Sequence, residues 1–160
     1  MRLKKQEVRG FLNNMDYTMI DEQIVTVNEK NTMFHNLDLF LDGIFSTKKG
    51  VSEIISSNFS TDVKNALVIF FEKNKVNIKN QTTIRAAISD LKEHLSKMPK
   101  VAITVPVDLN SRQVENIAHK IEMSAKMRPL IELIVDSNML AGAIFEYNGK
   151  RGDYGVKMES

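Results

Sequence analysis

A chain of 160 residues is long enough for one ordinary domain or two small ones. With 42% hydrophobic and 26% charged residues, it has the composition of a globular protein rather than of a disordered or membrane-embedded one. The 22 Lys+Arg against 20 Asp+Glu leave a net charge of +2, too even to announce a nucleic-acid binder, and the absence of cysteine excludes disulfide frameworks, thiol catalysis and thiolate metal sites.

No run approaches the ~20 apolar residues that a membrane-spanning helix requires. The basic start lacks the apolar stretch of a secretory signal, so none is expected there. From there to about residue 98 the hydrophobic period is helical. Val8, Phe11, Leu12 and Met15 fall on one face of a first helix. Asp21 is placed to cap a short helix carrying Ile24 and Val27, although the β-branched run Ile24–Val27 equally suits a strand. Phe34, Leu37, Leu41 and Ile44 mark the next stripe, with Gly43 and the loop 46–50 as its stop. Val51, Ile54 and Ile55 fit two turns. Ser60 or Thr61 then caps a stronger helix with Val63, Ala66, Leu67 and Phe70 on one side. Thr82 or Thr83 opens a long helix through Ile84, Ile88, Leu91, Leu95 and Met98.

At Met98-Pro99 the helix must end, because the residue before a proline is pushed out of the α region. Beyond it the hydrophobic pattern alternates. Val101, Ile103, Val105 and Val107 share one face of a strand, and Pro106 marks either an edge strand or a strand end. Asn110 caps a helix with Gln113 completing a capping box and Leu109/Val114 a hydrophobic staple; Val114, Ile117, Ala118 and Ile121 form its apolar stripe. Residues 130–136 and 143–147 read as strands, and Asn148-Gly149 predicts a tight hairpin to a last one. The expectation is an α+β chain: a helical bundle over residues 1–98, then a small β-α-β-β(-β) domain over residues 99–160.

Reactive chemistry is hard to find. His35, His94 and His119 each lie in an expected helix with no second His or carboxylate at i+4, and Glu115, four residues before His119, has a spacing typical of solvated helix pairs. There is no nucleophile elbow, phosphate-binding loop or dinucleotide fingerprint. No catalytic residue, cofactor or metal is therefore expected. Phe40 and the pair Phe70-Phe71 sit at helical spacing among Leu and Ile, which suits core or groove lining. The hairpin cations Lys150 and Arg151, beside Tyr154, suggest a rival reading as a nucleic-acid-binding module, weighed against by Glu146 and Asp153 on either side.

The run from Val135 to Ile144 carries Asp136, two apolar residues ending at Leu140, the small pair Ala141-Gly142, and then an apolar strand. A hairpin and a second acid, Asp153, come next. This pattern resembles the signature of the delta subunit of F-type ATP synthases, a family that includes the oligomycin-sensitivity-conferring protein. Two upstream segments, Val105–Gln113 and Asn65–Asn74, are similar to the same family's strand-loop-helix and helical stretches. The resemblance implies a non-catalytic stator component of the rotary ATP synthase, linking catalytic head to peripheral stalk so that proton-driven rotation is coupled to ATP synthesis. It implies two partners. The amino-terminal helix of an alpha subunit would lie in a groove of the helical domain, to which Val8, Leu12, Val63, Leu67 and Phe70 are assigned. The b subunits of the stalk would be held by the α+β domain. Nucleic acid is not an implied partner. The membrane is met only through the complex, at the cytoplasmic face of the inner membrane.

Overall fold

The computed structural model describes residues 15–46 and 50–153. They divide into two compact units, one formed by the described residues within 15–23 and 32–96, the other by those within 24–31 and 97–153. One junction falls between Ser96 and Lys97. A second, invisible to periodicity, lies earlier, because Ile24–Asn31 counts with the carboxy-terminal residues.

The first unit is helical. Its elements are α1 (Thr18–Asp21), most of α2 (Val27–Ser46), α3 (Val51–Asn58), α4 (Thr61–Lys73) and α5 (Gln81–Ser96). Of the stripes read from the sequence, Leu37 and Ile44 on α2, Ala66, Leu67 and Phe70 on α4, and Ile84, Ile88, Leu91 and Leu95 on α5 are buried, while Phe34, Leu41 and Val63 are only half-buried and Phe40 and Phe71 join the core. Phe40 packs 6.3 Å, between centroids, from both Phe59 and Phe71, and Phe71 lies 5.7 Å from Phe70. Such offset and edge contacts add to area burial, and they place these rings in the core.

Several local expectations are corrected. Asp21 is not an N-cap; it ends α1. Gly43 does not stop α2, which continues to Ser46; instead a Cβ there would come within 2.9 Å of the Ile54 Cγ2, so the glycine lets α3 approach closely. The cap of α5 is Asn80 rather than either threonine. Its Oδ1 accepts from the Thr82 and Thr83 amides at 3.0 and 3.3 Å. The first-helix stripe, Met15 excepted, lies outside the described residues; Met15 is buried.

The second unit is a sheet with one covering helix. β1 (Lys100–Val105), α6 (Ser111–Ala125), β2 (Leu130–Val135), β3 (Ile144–Tyr147) and β4 (Lys150–Asp153) build a four-stranded sheet ordered β2-β1-β3-β4. β1 and β2 are parallel, joined by α6; the other pairs are antiparallel. β1 is therefore central, and Pro106 marks a strand end, not an edge. The capping box of α6 forms as the sequence required: Asn110 Oδ1 accepts from the Gln113 amide at 2.9 Å, and Gln113 Oε1 from the Asn110 amide at 3.0 Å. Asn148 and Gly149 both have positive φ, 52° and 75°, the backbone of a two-residue hairpin turn. The core here is Val25, Val101, Ile103, Val105, Val114 and Ile131. Val25 belongs to the run left open between helix and strand, and its segment is extended: Thr26 bridges Ile131 in parallel, and the Ile131 amide donates to the Val25 carbonyl at 2.9 Å.

Candidate functional site

The family-like run occupies the end of the sheet where the parallel strands finish. The Asp136 amide donates to the Val105 carbonyl at 2.8 Å, closing the β1–β2 ladder. Its carboxylate then accepts from the Asn138 amide at 3.0 Å while its carbonyl accepts from Met139 at 3.1 Å. Asp136 is thus a turn-builder, its side chain mimicking backbone and reversing the chain in four residues. Gly142 has φ of 88°, a conformation open to glycine at little cost, and it redirects the chain into β3. Between them Ala141 is exposed and Leu140 fully so, at 101%. Asp153 lies in β4 opposite Ile144.

Leu140 has apolar company at this end. Val107 just past β1 is 65% exposed, and Ile134 and Val135 at the end of β2 are 41% and 49% exposed. Single exposed apolar residues need no explanation; here Val107 and the end of β2 lie at the same end of the sheet, with Ile134 and Val135 on opposite faces of the strand. The hairpin cations are arranged differently: Arg151 stands directly opposite Glu146 in the β3–β4 register. That pairing favours a solvated cross-strand charge pair over a strip of free cations.

The residues assigned to a groove in the helical unit fall into three groups. Val8 and Leu12 lie outside the described residues. Leu67 and Phe70 are 0% and 1% exposed, members of the core. Val63, one turn earlier on α4, is half-buried and available at the surface.

Around Phe70 the structure assembles a constellation that sequence reasoning missed. Tyr17 stacks on Phe70 at 5.9 Å and on His94 at 3.9 Å, with the last two rings only 8° from parallel. The His94 Nε2 donates to Asp21, 2.8 Å from Oδ1 and 3.1 Å from Oδ2. Asn74 completes the attachment of residues 15–21: its Nδ2 donates to the Asp16 carbonyl at 3.0 Å and its Oδ1 accepts from the Asp16 amide at 2.6 Å. The Asp16 carboxylate accepts from the Thr18 amide at 2.9 Å, and bonding to Thr18 holds its pKa below the ordinary carboxylate value. These contacts fasten a chain segment; they present no nucleophile with a base. His35 and His119 are exposed. Among the described residues no group of three or more metal-ligating side chains converges, and no helix is long and apolar enough to cross a membrane.

The model of the family described as ATP synthase delta (OSCP) subunit matches residues 13–159. No curated protein matches the chain significantly.

Proposed function

The chain belongs to the ATP synthase delta (OSCP) subunit family, and from that premise we propose that it ties the catalytic head to the peripheral stalk, so that proton-driven rotation is coupled to ATP synthesis. As a family member it is a structural, non-catalytic stator subunit, membrane-associated through the complex. The finer assignments are the reading's own. The b subunits of the stalk dock on the sheet unit at the end built by Val107, Ile134, Val135 and Leu140. The amino-terminal helix of an alpha subunit docks on the helical unit, against a groove bounded by Val63, Val8 and Leu12, with Leu67 and Phe70 as the core beneath it. The whole sits at the cytoplasmic face of the inner membrane.

The observation that carries the reading is Leu140. A leucine fully in water, at the tip of a turn held by Asp136 and Gly142, is a preformed apolar anchor. Burying such a side chain on association is worth roughly 1.5–3 kcal/mol, and a rigid turn spares the cost of ordering it. A stator has to resist torque without turning, which suits anchors of this kind and requires no reactive group. The rival nucleic-acid reading finds no support.

Reconstitution tests it. Membranes depleted of the delta subunit should regain ATP-driven proton pumping when this chain is added, and Leu140→Asp should restore several-fold less at equal concentration. Full restoration by the variant would remove the sheet end from the stalk contact. Failure of the wild-type chain to restore pumping would contradict the coupling role.

A further inference from the structure

The two edges of the sheet are built differently. β4 carries exposed Lys150 and Arg151 and then Gly152, features that discourage pairing with another strand. β2, at the opposite edge, instead ends in the exposed apolar pair Ile134 and Val135. We propose that the outer edge of β2, Glu132–Val135, accepts a short extended segment of another protein as an added strand, β-branched in character and carrying a Lys or Arg.

The direction of the β2 amides is set by its two ends. The Leu130 amide donates to the Pro99 carbonyl at 2.7 Å and the Asp136 amide to the Val105 carbonyl at 2.8 Å, both toward β1. Amides alternate along a strand, so those of Glu132 and Ile134 also face β1, and those of Ile131, Leu133 and Val135 face outward. The Ile131 amide is taken by the Val25 carbonyl. There the chain's own added strand stops, because the Thr26 hydroxyl accepts from the Glu29 amide at 3.1 Å and α2 begins at Val27. No described residue pairs with the outward amides of Leu133 and Val135. Four residues remain, about 13 Å of edge.

What the edge accepts is already visible, since Val25-Thr26 is a β-branched extended segment in the same line. Beside it lies a concavity of about 600 Å³, floored by Ile131–Leu133 and walled by Val25–Glu29 and by Leu109 and Val114, where side chains of an added strand can seat. The rim is acidic. Glu29 and Glu115 line it, and Glu132 is the one carboxylate bound to a lysine, Lys100, at 2.8 Å. The partner therefore brings the cation. A second copy of this chain suits the edge poorly, because edge-to-edge pairing about a two-fold axis sets the same carboxylates against each other.

The edge shares Ile134 and Val135 with the end assigned to the stalk, but it binds through outward backbone amides of β2 and not through Leu140, so its failure leaves the Leu140 contact, tested separately by Leu140→Asp, in place. The probe is a blocked hexapeptide of alternating valine and threonine with a lysine at one end, added to the full chain. Amide exchange read residue by residue should slow at Leu133 and Val135 by about tenfold or more, and little at Glu132 and Ile134, already bonded to β1. Two N-methylated versions supply the control: methylation along one edge of the peptide should abolish binding, and along the other spare it. Val135→Pro removes the outward donor and spares every amide bond from β2 to β1, so it should melt close to the wild type and lose at least tenfold in affinity. If that variant melts lower, the methylated pair decides. No binding, protection that is not alternating, or equal binding of both methylated peptides overturns the proposal.

Discussion

In the helical unit Leu37, Phe40, Leu67, Ile88, Leu91 and Leu95 are all at 0% exposure, and among the described residues the most exposed large apolar side chain, Ile78, reaches 44%. In the sheet unit only one residue of the covering helix, Val114, is fully buried, while Val107, Met123 and Leu140 stand 65%, 70% and 101% exposed. The cause is geometric. Several helices can enclose one another's stripes, whereas a single helix covers one face of a four-stranded sheet and leaves its ends bare. A small unit that buries so little of its apolar surface is marginal by itself and gains most from a partner. The difference teaches that the helical unit closes its own core while the sheet unit leaves large apolar residues at its ends exposed.

That contrast can be broken most severely from the helical side. Phe70→Ala should cost about 3–5 kcal/mol, since it opens the core and removes the support of Tyr17. Val63→Ser, one face-turn away and half-exposed, should cost well under ~1 kcal/mol. Chemical denaturation of both variants checks this, and equal losses would mean that Val63 is core too. On the sheet side Gly142→Val should cost on the order of 1–3 kcal/mol, because φ of 88° is strained for a β-branched residue. A variant that melts like the wild type would show the turn to be loose.

The smallest effects are those of pH. The Asp16 carboxyl is held below its ordinary pKa by its bonds to Thr18, so its contribution is fully present above about pH 4 and is lost as pH falls lower. Lys100 is held above its ordinary value by its bond to Glu132, so its contribution is present below about pH 10 and is lost as pH rises further. Both groups are exposed, which keeps each effect small. Asp16→Ala should melt slightly below the wild type at neutral pH, and the gap should close in strong acid. A gap that persists at low pH would mean that Asp16 acts through packing rather than charge.

What the sequence could show depended on the range of the forces involved. Stripes on α2, α4 and α5, the capping box of Asn110 and the turn at Asn148-Gly149 are local, and each was legible from spacing alone. The misreadings were of residues whose role is set far along the chain. Asp21 looked like a cap because its partner, His94, is 73 residues distant. Gly43 looked like a helix stop because Ile54, against which it packs, lies across a loop. The run Ile24–Val27 was ambiguous because its first residues pair with β2, more than a hundred residues on, and its last begins a helix. This also bears on dissection: a fragment of residues 99–160 would lack Val25, part of the sheet unit's core. At the candidate site the pattern of Asp136, Leu140 and Gly142 was recognisable, but only the structure distinguishes the two turn-builders from the exposed leucine between them.

The most direct test of the central claim is a crossed calorimetric titration on the full-length chain. Leu140→Asp and Val63→Asp are each titrated with a peptide from the alpha subunit's amino terminus and with the distal fragment of the stalk's b subunits. The account predicts a crossed result: Leu140→Asp loses at least tenfold in affinity for the stalk fragment and keeps the alpha peptide, and Val63→Asp does the reverse. If either variant weakens both partners equally with its fold intact, or neither partner responds to its assigned surface, the division of docking between the two units is wrong.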